Sequence, residues 1–299
     1  MKYRRMGSTE LQVSVVGLGT WQFGGEWGKD FTQDEVNAIC DAARDTGINF
    51  VDTAECYGDH LSEKFVGEAL KRDRDKWTIA SKFGHRFHGF LDRDWDFSPA
   101  GVQQQLEDSL RALQIDTIDL YQFHSGDNEQ FETDELWTTL DKQRQAGKIR
   151  FLGISISSSN ETTNAYQTER ATQVGASVIQ VVYNRLERKP EQTVFPVCRD
   201  QDLGVLARVP LASGFLSGKY KPGAQFPAND FRIKQETEKL NQTLEEVARI
   251  RQEEVPDGVK MASWALAWCL KEPIVTSVIP GCKSPEQVRQ NAAAAELVT

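Results

Sequence analysis

The sequence predicts an α/β fold, a (β/α)8 TIM barrel of eight parallel strands, with an N-terminal β-hairpin plug and an extra helix after strand seven. Three observations predict it. Eight short β-rich runs alternate with amphipathic helical stretches from one end of the 299 residues to the other. The runs read as strands buried on both faces, which implies a parallel sheet covered by helices. No low-complexity linker divides the chain, so one domain over residues 1–299 is expected. Eight βα units close most naturally into a barrel; a doubly wound open sheet is the other architecture that this rhythm admits.

The elements follow in order. Residues 3–14 read as a hairpin turning at Gly7 and Ser8, a plug for the barrel floor. Strands are expected at 15–20, 49–53, 78–83, 118–124, 151–155, 178–183, 205–210 and 276–280. Helices are expected at 34–46, 61–71, 99–113, 135–147, 191–202, 260–271 and 285–295. Ser98 before Pro99 and Ser284 before Pro285 put a capping side chain ahead of proline at the first helical position. Gly47 and Gly147 fall where helices should stop. A long polar helical stretch at 232–254 is inserted between the seventh strand and its helix.

Composition excludes several functions. A net charge of -9 leaves no basic stripe for nucleic acid. No apolar run reaches membrane-span length, and the N-terminus has no apolar signal core, so no membrane partner and a cytoplasmic location are expected. Cys40, Cys56, Cys198, Cys269 and Cys282 are scattered without a Cys-x-x-Cys pair, which suggests neither a disulfide framework nor a zinc site. His85 and His88 lack an adjacent third ligand, so no metal is expected. A monomer or weak homo-oligomer is expected.

Chemistry in such barrels sits where strands end at the C-terminal face. Asp52 ends the second strand, Tyr57 lies on the loop beyond, Lys82 is near the end of the third strand, and His124 closes the fourth. Taken singly, Asp52 and Lys82 also suit a structural ion pair, and His124 a core histidine. Together they make an acid catalyst. A nearby ammonium lowers the pKa of a phenol, a carboxylate keeps the ammonium in place, and a neutral imidazole orients a carbonyl oxygen. GLGTWQFGG does not have dinucleotide-fingerprint spacing and is not followed by a helix.

The stretches FVDTAECYG, IASKFG and DLYQFHSGD resemble the active-site signatures of the aldo-keto reductase superfamily. LGISIS, IQVVYN, VPLASGFLSGKY and VIPGCKSPEQVRQN resemble its cofactor-binding segments, in order. The resemblance implies an NADPH-dependent reductase of aldehydes or ketones, with Tyr57 as general acid, Lys82 and Asp52 tuning it, and His124 placing the carbonyl. It implies Gly19, Thr20, Trp21 and Asp52 near the nicotinamide ribose, and Ser155, Gln180 and Arg208 at the nicotinamide. Pro210, Leu211, Ser213, Gly214, Leu216 and Lys219 would wrap the pyrophosphate. Gly281, Lys283, Gln287 and Asn291 would hold the adenosine end, with Lys283 beside a helix start suited to a 2′-phosphate.

The chain departs from that pattern in three places. Ile156 follows Ser155 where many members have Asn, Arg208 stands where some members stack an aromatic, and the sequence stops soon after Asn291. An open, tolerant pocket is therefore expected. Its walls should be Trp21 and Trp27, facing Phe87, Phe90, Trp95 and Phe97 on a loop at 84–97, with Tyr57 and His124 at the base. Two other functions fit the same residues: a sugar or polyol alcohol dehydrogenase, and a cofactor-bound redox-sensing partner subunit.

Overall fold

The computed structural model describes residues 1–157 and 160–298. Its main sheet has eight strands: Leu18–Gly19, Phe50–Asp52, Thr78–Phe83, Ile118–His124, Ile149–Ser155, Ala176–Val182, Gly204–Arg208 and Val275–Val278. Every pairing between neighbours is parallel, and their order along the sheet is their order in the chain. Bridges from Val16 to Val278 and from Gly19 to Gly281 join the first strand to the eighth and close the barrel. Gly19 is needed there, because a Cβ would lie 2.6 Å from the Ile279 carbonyl oxygen. The open-sheet alternative is thereby excluded.

Two apolar layers hold the barrel. Helices such as Gln33–Asp45 and Pro99–Leu113 cover the outer face of the sheet, with Val36, Ile39, Leu106 and Leu113 buried against it. Thr32 and Glu35 form a reciprocal cap for the first helix, and Ser98 caps the second ahead of Pro99. Inside, Phe50, Ala80, Leu120, Val178 and Leu206 pack with Met6, Leu11 and Val13 from the hairpin Tyr3–Arg5 and Gln12–Ser14. The hairpin thus plugs the lower interior, as expected. The upper interior is polar.

Three regions differ from the sequence reading. Residues 84–97 contain a second antiparallel hairpin, His85–Gly89 with Asp92–Trp95, where a loop was expected. A helix at Glu161–Glu169 was not anticipated; its ETTNAYQTE sequence carries almost no apolar face. The stretch at 191–202 divides into Pro190–Thr193 and Phe195–Asp200, because Pro196 cannot donate to the preceding turn. The insertion is present, as a short turn at Phe231–Lys234 and the helix Thr237–Glu253. Leu240, Leu244, Val247 and Ile250 of that helix pack on Phe215, Leu216, Met261 and Trp264.

Candidate active site and cofactor groove

The residues at the strand ends meet. Asp52 leaves the second strand beside Lys82 on the third, and the ammonium donates to Asp52 Oδ1 at 2.6 Å and to the Thr53 carbonyl at 2.7 Å. Lys82 also lies 3.2 Å from the Tyr57 hydroxyl. The other carboxylate oxygen of Asp52 accepts from the amides of Gln122 (3.1 Å) and Gln180 (2.8 Å). Gln122 escaped the sequence reading, although it stands two residues before His124 and so shares its face of the strand. Burial pulls the Lys82 ammonium down, but Asp52 and Tyr57 outweigh it and hold its pKa above the usual lysine range.

Two glycines place Tyr57. The turn Trp21–Gly24 presses on the tyrosine loop so closely that a Cβ on Gly24 would lie 2.6 Å from the Tyr57 carbonyl carbon. Opposite it, Gly58 takes φ +69. The Tyr57 ring stacks at 6.1 Å on Trp21 and meets His124 edge-on at 6.3 Å. Burial pushes the phenol up to about 12, against the downward pull of Lys82. The sequence reading had the direction of the lysine's effect but not the larger desolvation. Burial, then Lys82, Arg208 and Arg93, push His124 well below the ordinary histidine range, so its imidazole is neutral at neutral pH.

Asp52, Tyr57, His124 and Gln180 line one end of a cavity of about 950 Å³ that runs along the top of the barrel, and Lys82 and Gln122 lie beneath its surface. Gly19, Thr20, Trp21, Asp52, Gln180, Arg208, Pro210, Leu211, Ser213, Gly214 and Lys219 line it, as do Gly281, Lys283, Gln287 and Asn291. Two of the anticipated groove residues do not. Ser155 lies behind Gln180, 3.4 Å from its side-chain oxygen, and Leu216 points into the apolar cluster under the inserted helix. The backbone after the seventh strand is strained, with φ +53 at Val209, +48 at Ala212 and +58 at Ser213. Asp52 is the only carboxylate lining the cavity, against seven Lys and Arg side chains among the described residues. Of these, Arg93, Arg232, Arg251 and Lys260 carried no motif.

At the other end of the active site, Trp21, Trp27 and Phe231 form an aromatic wall with ring separations of 4.5–5.2 Å. Phe87, Phe90 and Trp95 do not line the cavity. Phe90 sits at the turn, 41% exposed, and Trp95 is 49% exposed; Phe87 and its cross-strand partner Arg93 share one face, and of the two only the longer Arg93 reaches the cavity. Phe97 stacks on Phe123 within the outer core. Glu55, Cys56 and His124 gather within 4.8 Å of one another, but Arg93 lies 3.8 Å from the thiol and Lys82 and Arg208 also act on the imidazole, a field that repels a cation.

Residues 15–299 match the family model described as "Aldo/keto reductase family". The chain belongs to the aldo/keto reductase family. The aldo-keto reductase of Bacillus halodurans, in its holo form, superposes with a TM-score of 0.82 at 32% identity, covering 99% of this chain and 91% of that one. A glycerol dehydrogenase of Gluconobacter oxydans gives 0.81 at 31%, covering 98% and 90%. The NADH-specific methylglyoxal reductase of Escherichia coli is 31% identical over 314 residues, covering 98% of this chain and 93% of the relative. Membership makes this chain an oxidoreductase of the nicotinamide-binding kind. No helix among the described residues is long and apolar enough to cross a membrane.

Proposed function

We propose that this protein is a cytoplasmic, NADPH-dependent reductase of aldehydes and ketones with Tyr57 as its proton donor. The observation that carries the reading is the Asp52–Lys82–Tyr57 chain, with neutral His124 beside it at the head of a cationic groove. A reduced nicotinamide, when bound in that groove, supplies hydride to the carbonyl carbon. The remaining work falls to the protein. His124 orients the carbonyl oxygen, which requires its proton on Nε2. Cys56, a thiol kept protonated by burial, supports that tautomer 3.8 Å from Nδ1. Tyr57 delivers the proton as negative charge builds on oxygen, and Lys82 stabilises the phenolate left behind.

The choice of NADPH rests on the cations at the far end of the groove, where Lys219, Arg251, Lys260 and Lys283 line it without a carboxylate. Lys283 is less free than its position beside a helix start implies, because its ammonium donates to the Trp27 carbonyl across the groove. Arg251 and Lys260 therefore join it as holders of a 2′-phosphate. The five cysteines are buried thiols, which suits a reducing compartment. A panel of aldehydes with NADPH and NADH, followed by absorbance of the reduced nicotinamide, tests the reading. Tyr57→Phe should lower kcat by about 10²-fold or more while leaving NADPH binding nearly intact. Near-normal turnover in that variant would sink the assignment.

A further inference from the structure

The substrate end of the cavity contains a cation that proton donation does not use. Arg93 reaches it from the hairpin Asp92–Trp95 and lines it together with Trp21, Tyr57 and His124. One amino group of its guanidinium donates to Glu26. Glu26 is buried and otherwise occupied: Leu91 N–H donates to it at 2.9 Å and the Trp21 indole at 2.7 Å. The second amino group of Arg93 has only the Cys56 sulfur at 3.8 Å, a weak acceptor, and Nε has no partner. That same sulfur is 3.8 Å from His124 Nδ1, so the guanidinium stands one thiol away from the imidazole.

Charge points the same way. Lys82 and Asp52 cancel each other, and Glu26 offsets one edge of Arg93. Arg208 adds a further guanidinium, whose single hydrogen-bond partner among the described residues is the Ile156 carbonyl. Glu55 lies 3.8 Å from His124 Nδ1 with its Oε2 unpartnered, but it does not line the cavity; at the cavity wall the charges beside the reacting carbonyl are Arg93 and Arg208, set among aromatic rings. The amino group of Arg93 facing Cys56, with only that weak partner, keeps N–H donors that a carboxylate can accept.

We propose that Arg93 determines specificity by receiving a substrate carboxylate, so that the preferred substrates are short aldehydes carrying a carboxylate a few atoms from the carbonyl. The inference rests on the carbonyl-reductase reading above. Arg93, Tyr57 and His124 line the same end of the cavity, so a carboxylate a few atoms from the carbonyl can meet Arg93 while the carbonyl oxygen meets Tyr57.

The test compares 4-oxobutanoate with butanal as substrates of the holoenzyme. The expected kcat/KM ratio is about 20-fold or more in favour of the carboxylate, mostly through KM. Arg93→Gln, which removes the charge, should abolish the ratio, the loss falling mainly on KM for 4-oxobutanoate. Arg93→Lys, which keeps the charge, should retain part of the ratio and decides the matter if the glutamine variant does not fold. Equal kcat/KM for the two aldehydes, or equal losses for both in Arg93→Gln, overturns the proposal. Quenching of tryptophan fluorescence by the two compounds separates it from the reading it rests on, since Trp21 and Trp27 line the site. Saturable binding of 4-oxobutanoate alone, lost in Arg93→Gln, upholds the carboxylate site even where neither aldehyde turns over. Absence of such selectivity overturns it.

Discussion

Lys82 has no exposed surface, yet it carries a charge, and its hydrogen bonds explain how. Asp52, the Thr53 carbonyl and the Tyr57 hydroxyl surround the ammonium at 2.6–3.2 Å. Lys82→Met would strand the Asp52 carboxylate, with only the Gln122 and Gln180 amides left to it. Breaking a buried pair in this way costs about 3–5 kcal/mol, read as a shift of the urea midpoint. Unchanged stability would mean that Asp52 takes up a proton or water in place of the lysine. The Tyr57 phenol sets a pH prediction. A general acid works while protonated, so its contribution is present at low pH and lost as pH rises through its pKa. With burial holding that value at about 12, kcat for reduction should vary less than about two-fold between pH 6 and 9. His124, pushed well below the ordinary range, stays neutral across that window. A ten-fold fall within it would show a donor with a lower pKa. Asp52, Lys82 and His124 were legible in the sequence because a strand end fixes both height and face of a side chain. Arg93 was not, because its inward aim depends on which face of a hairpin the chain presents.

At the scale of elements, the reading succeeded where apolar period and caps agreed and failed where one was missing. The hairpin at His85–Gly89 and Asp92–Trp95 is mostly charged and polar along both strands, so the alternation that marks a strand is faint. Its aromatic residues drew the eye to a wall that lies elsewhere. The inserted segment presents the opposite case: its length was visible, but its anchoring was not. Arg232 is buried, paired with Asp230 at 2.6 Å, and its other amino group holds Tyr220 Oη at 2.9 Å and the Ser213 carbonyl at 3.2 Å. It also lies over the Phe226 and Trp27 rings. One guanidinium thus fastens the segment after the seventh strand along the groove. Arg232→Met should release it, weakening NADPH by about ten-fold or more, chiefly through faster dissociation measured by stopped-flow fluorescence. Unaltered dissociation would assign the retention to the groove alone.

Across the whole molecule, a chain of net charge -9 sets seven Lys and Arg side chains against one carboxylate along this groove, among the described residues. Such a field attracts an anionic dinucleotide and is screened by salt. The Kd for NADPH should therefore rise by about five-fold between 20 and 200 mM salt, while KM for a neutral aldehyde stays nearly constant. A salt-independent Kd, measured by fluorescence titration, would show that apolar contacts dominate binding. Barrel closure was legible from the count of βα units, because eight is the number at which a parallel sheet meets its own edge. The closed barrel also separates two kinds of part. Asp52, Lys82, Gln122, Gln180 and His124 stand on barrel strands, whereas Arg93, Trp27 and Arg232 stand on excursions from them. The excursion at 85–96 leaves and re-enters at one point, where Phe97 packs so closely on Gly84 that a Cβ there would lie 2.1 Å from its ring. That pinch makes the hairpin an exchangeable cartridge: a graft of different sequence, joined at Gly84 and Phe97, would change which molecules are admitted and leave the proton-handling layer beneath it in register.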